Sequence, residues 1–139
     1  MSYNIEQKKA DIFIARTNHK AILAKLKEAL PKIDDVFRFN PRFHTVRREN
    51  LVEELTYWFF ETRLDADYNI VGLKLAATFM PGGIDDMFKI LAPYVHSGGE
   101  VLLSGEDGAQ FRWIFSDGKV KKYVAKVKLV AQDFEEVEA

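Results

Sequence analysis

The chain has 139 residues, 47% of them hydrophobic and 13% aromatic, which is the size of one ordinary domain able to bury roughly two-thirds of the surface its unfolded form would expose. Twenty Lys and Arg against twenty-one Asp and Glu leave a formal charge of −1, so bulk charge gives no argument for binding a polyanion. The absence of cysteine excludes disulfides, thiolate-ligated zinc, iron–sulfur clusters and cysteine nucleophiles, and no apolar run approaches the roughly 20 residues needed to span a bilayer.

The opening MSYNIEQKKADIF lacks the apolar core of a signal peptide, so a cytoplasmic protein with no membrane association is expected, with residues 1–9 frayed. ADIFIAR, Ala10–Arg16, is a short β-branched and aromatic run that predicts a strand. The next stretch places Ile22, Leu23, Leu26, Ala29 and Leu30 at the spacing of an amphipathic helix, with Thr17 or Asn18 as its cap and Pro31 as its stop. FRFNPRFHTVRRE, Phe37–Glu49, then packs four arginines, three phenylalanines and a histidine into thirteen residues. ENLVEEL predicts one or two helical turns, and TYWFFETRL and YNIVGLKLAATF predict a strand pair joined by the turn DAD. After Pro-Gly-Gly, Ile84, Phe88 and Leu91 share one face of a second principal helix, whose first turn carries Asp85 and Asp86 and whose length Pro93 limits.

The last third predicts a three-stranded meander: GEVLLS, turn GEDG, AQFRWIFS, turn DG, KVKKYVAKVKLV. Asp117-Gly118 between alternating runs is the strongest short-range hairpin signal, because a type I′ turn needs positive φ at both central positions. Phe111, Trp113 and Phe115 share one face of the middle strand; on the last, Tyr123, Ala125, Val127 and Leu129 oppose Lys122, Lys126 and Lys128, which reads as one buried and one wet face. Residues 131–139 are acidic and expected to fray. The order β-α-(α)-β-β-α-β-β-β predicts a single α+β domain over 1–139, two-layered, with two principal helices on one face of a mainly antiparallel sheet.

Candidate chemistry is sparse. His19, His44 and His96 lie far apart and in no ligand or phosphate-handling spacing, and the paired carboxylates at 34–35, 65 and 67, 85–86 and 106–107 all fall at turns or helix starts, where capping explains them. No metal, no cofactor and no catalytic set are therefore expected, and the balance tilts away from an enzyme. The arginine stretch is the remaining signal. Phe37, Phe39 and Phe43 can turn inward while Arg38, Arg42, Arg47 and Arg48 point outward with His44, and Arg112 stands on the polar face of the meander; these six residues are the expected partner-binding set. Residues 1–50 hold eleven basic against six acidic residues, and 51–90 three against seven, so a dipolar surface is expected.

LAPYVHSGGEVLLSGEDGAQFRWIFSDGKVKK, Leu91–Lys122, resembles the C-terminal part of small uncharacterised bacterial and phage proteins that carry an apolar helix, a G-E-D-G turn, an aromatic-plus-Arg strand and a D-G-K hairpin. Small α+β proteins of this kind include immunity proteins and phage-encoded inhibitors, which act by covering a partner's surface. The expected function is accordingly a non-enzymatic protein-interaction domain of the immunity or inhibitor type, with another protein as partner. A nucleic-acid-binding module built on residues 37–48 is the alternative, and a small-molecule-binding protein or enzyme the third reading.

Overall fold

A polar N-terminal strand lies between the two hairpin-rich halves of the chain and joins them. The structure, a computed structural model, describes residues 3–30 and 47–125. Its elements are β1 (Ile5–Asp11), α1 (His19–Ala29), α2 (Leu51–Tyr57), β2 (Phe60–Leu64), β3 (Ile70–Leu75), α3 (Ile84–Leu91), β4 (Gly99–Gly105), β5 (Gln110–Ser116) and β6 (Lys119–Ala125). The fold is α+β: a four-stranded sheet in the order β1-β4-β5-β6 and a two-stranded sheet β2-β3, antiparallel throughout.

The meander forms as the turn chemistry requires. Asp117 and Gly118 both have positive φ, 53° and 74°, so Ser116 sits opposite Lys119 and every later pair follows: Phe115 with Val120, Trp113 with Lys122, Arg112 with Tyr123. Phe111, Trp113 and Phe115 share the inner face, where Trp113 and Phe115 are buried against Phe88 of α3. The same register corrects the faces of the last strand. Tyr123 and Ala125 stand on the outer face, opposite Arg112 and Gln110, while Lys122 lies on the inner side over the Trp113 ring and bonded to Asp85. Residues from 126 onward lie outside the described residues, so the expected faces of Val127, Leu129, Lys126 and Lys128 do too.

Three boundaries differ from expectation. The first strand runs Ile5–Asp11 rather than Ala10–Arg16, so part of the stretch expected to fray is paired instead; a bulge between Gln7 and Lys9 shifts the alternation and lets Ile5 and Ala10 both turn inward. Thr56 and Tyr57 belong to α2 and not to a strand, because Asn50 caps that helix by accepting from the Glu53 N–H; Trp58 is its C-cap, and Phe59, at φ 73°, turns the chain into β2. The side chain of Asn18, the N-cap of α1, makes no capping bond; a 3-10 turn over Arg16–Asn18 leads into the helix.

The two sheets abut along β1 and β3. Ile14 and Ile70 exchange both backbone bonds at one end (2.9 and 3.0 Å), and the Ile5 N–H reaches Thr78 O (2.6 Å) at the other. Between them the side chain of Gln7 stands in for a ladder rung, donating to Leu73 O (2.8 Å) and accepting from the Leu75 N–H (2.6 Å). A single apolar core joins the inward residues of both sheets to Ile22 and Leu26 of α1, Leu51 and Leu55 of α2 and Met87, Phe88 and Leu91 of α3.

Candidate interaction cleft

Of the six residues expected to bind a partner, Arg38, Arg42 and His44 lie outside the described residues. The other three do not come together as one patch. Arg47 is exposed at the approach to α2. Arg48 turns onto Glu54, which is fully buried: Nε donates to Oε1 (2.7 Å) and Nη2 to Oε2 (2.8 Å), and the indole N–H of Trp58 donates to the same Oε2 (3.0 Å). The guanidinium also stacks 4.3 Å from the centre of the Tyr57 ring. The bond to Glu54 raises the pKa of Arg48 further, so the charge that neutralises this buried carboxylate is permanent. Arg112 is exposed in the middle of the outer sheet face, where it forks onto Glu100 (2.8 and 3.2 Å) and, with Lys9, holds that carboxylate below its ordinary range.

The chain that leaves Arg47 and Arg48 leads directly into a cleft that the sequence did not single out. Arg16, His19, Lys20 and Leu23 form one wall, Glu49, Asn50, Val52 and Glu53 at the start of α2 the other, and Leu64 at the end of β2 and Tyr68 of the β2–β3 turn close one side. It encloses about 420 Å³. One wall is cationic and the other anionic, with apolar side chains between them.

The turn is built to hold one side chain still. Asp65 accepts from the N–H groups of Asp67 and Asn69 (both 2.9 Å) and from the Asn69 side-chain amide (3.1 Å), and these bonds, the Asn69 amide first among them, lower its pKa. Asn69 in turn accepts from the Arg16 N–H (2.8 Å), which ties the turn to the start of α1. On this frame Tyr68 adopts φ 63°, in the left-handed region that a bulky residue enters at a cost of about 1–2 kcal/mol, yet its side chain is 62% exposed. Burial of the ring does not offset that strain.

His19 lies on the cationic wall. Its Nε2 is buried with no hydrogen-bond partner among the described residues, and burial lowers its pKa, assisted by the charge of Arg16 and opposed by a hydrogen bond to the Ile14 backbone. Among the described residues no group of three His, Asp or Glu side chains could hold a metal ion, and no helix is long and apolar enough to cross a membrane.

Comparison with protein-family models, curated proteins and solved structures finds no match to this chain.

Proposed function

We propose that the protein is an interaction domain that acts by binding another protein, in the manner of an immunity protein or inhibitor, and that the cleft beside Tyr68 is where it does so. The observation that carries this reading is Tyr68 itself, an exposed aromatic held in a left-handed conformation by a turn tied at Asp65 and Asn69. Backbone strain that earns no packing points to function. Tyrosine is also a preferred anchor of protein interfaces, giving a large contact area at small entropic cost, and here it stands beside Leu64 and Leu23 with charged side chains at the rim. The bond between Arg48 and Glu54 withdraws one guanidinium from any phosphate-binding set.

Affinity capture from source cells with the wild type and Tyr68→Asn, run side by side, tests this. Asparagine tolerates the left-handed region, so the variant should melt no lower than the wild type. A protein retained by the wild type and lost by Tyr68→Asn is the expected result. Identical captured sets would reject the cleft. A retained set that disappears on nuclease treatment or moderate salt would replace a protein partner by nucleic acid, because phosphate contacts weaken steeply with salt.

A further inference from the structure

The outer edge of β6 takes no part in the cleft beside Tyr68. β6 is the last strand of its sheet, and no described strand pairs with its far side. Ser116 and Lys119 flank a two-residue turn; in such a hairpin the flanking pair exchanges both ladder bonds, so alternation turns the N–H and C=O of Val120, Lys122 and Val124 away from β5. Among the described residues the edge is unpaired along its length, with Tyr123 51% and Val124 48% exposed.

The charges along this edge are one-sided. Lys119 and Lys121 project from the outer face with no ion-pair partner among the described residues, and residues 119–125 include no acid. Further across the sheet the charge is balanced, since Lys9 and Arg112 share Glu100. Lysines on an edge deter pairing with a copy of the same strand, because like charges directly opposite one another destabilise a strand pair. The same rule favours a strand of opposite charge.

We propose that the edge of β6 binds an acidic extended segment of a partner protein, which adds to the sheet as a further strand. Its backbone bonds to Val120, Lys122 and Val124, its alternate carboxylates face Lys119 and Lys121 on the outer face, and the apolar side chains between them turn to the inner face beside Val120 and Val124. Main-chain bonding supplies affinity in this mode of recognition, and the alternate side chains supply selection.

The probe is a labelled peptide of alternating glutamate and valine, titrated into the whole protein beside an alternating lysine–valine peptide and oligothymidine. The acidic peptide should bind saturably and shift the amide resonances of Val120, Lys122 and Val124, and the lysine peptide should not bind. Lys119→Glu combined with Lys121→Glu should weaken binding at least about tenfold, as loss of two charge pairs implies. Should that variant unfold by circular dichroism, Val124→Pro, which removes one edge-facing N–H and leaves the β5 ladder intact, should weaken binding as well. Equal binding of both peptides, undiminished binding by a folded variant, resonance shifts located elsewhere, or tighter binding of oligothymidine would each overturn the proposal.

Discussion

Arg48 illustrates how a residue's chemistry is decided by one partner. Four arginines within eleven residues read as an outward basic patch, and nothing in their local spacing distinguishes Arg48; only the helix that follows places Glu54 under it. Breaking a buried, hydrogen-bonded ion pair from one side leaves an uncompensated charge. Arg48→Gln should therefore cost about 3 kcal/mol, measured by urea unfolding, whereas Arg47→Gln should change stability by less than about 0.5 kcal/mol. Equal effects would mean that Glu54 finds another cation. His19 makes a separate prediction, of pH dependence. Its folded pKa lies below the ordinary 6.5, so the stability it confers is complete above pH 6.5 and is lost as the pH falls toward and through the lowered folded value. The urea midpoint should drop between about pH 7.5 and about pH 5.5, and His19→Gln should flatten that drop. A wild-type midpoint that stays level across this interval would place the imidazole in contact with water.

At the scale of elements, the last hairpin was legible because its turn is local: two residues set the register of seven pairs. The same register shows why the faces of β6 were harder to read. Tyr123 and Ala125 suggest a buried alternation by hydrophobicity, but the count from Asp117-Gly118 puts Lys122 opposite Trp113, and turn geometry prevails over the apolar pattern on an edge strand. Gly118→Val should lower stability by about 1 kcal/mol or more, because a β-branched residue resists φ 74°. An unchanged Tm would argue against this turn. β1 was misplaced for the opposite reason. Its bulge breaks the period of two, and IEQKKAD carries few β-forming residues of its own, so its position depends on β4, about a hundred residues away along the chain, and on β3.

Across the whole molecule, the α+β class and the order of elements could be read from hydrophobic period and turn residues, since both are written within a dozen residues of chain. The division into two sheets could not, and neither could the cleft. Its walls come from residues 16–23, 49–53 and 64–68, three segments that meet only through tertiary packing, and Tyr68 at the end of an aspartate turn reads in isolation as a solvated loop residue. A sequence signal for such a site would be a bulky aromatic where turn chemistry calls for Gly or Asn.

The Gln7 rung has a consequence for how tightly the halves are coupled. A main-chain hydrogen bond between strands cannot be removed by substitution without proline, but this one ends in a side chain and is therefore open to ordinary mutation and selection. Gln7→Leu should leave the strands folded, since Ile14–Ile70 and Ile5–Thr78 still join them, while freeing the Leu75 amide to exchange about five- to thirty-fold faster, the factor that 1–2 kcal/mol implies. Unaltered exchange at Leu75 would show that the rung carries no load. With the rung removed, β1 and β3 would stay joined only at their two ends, so a single side chain sets how firmly the middle of the β2–β3 hairpin is clamped to the four-stranded sheet, while the Tyr68 turn stays tied through Asn69 and Ile70.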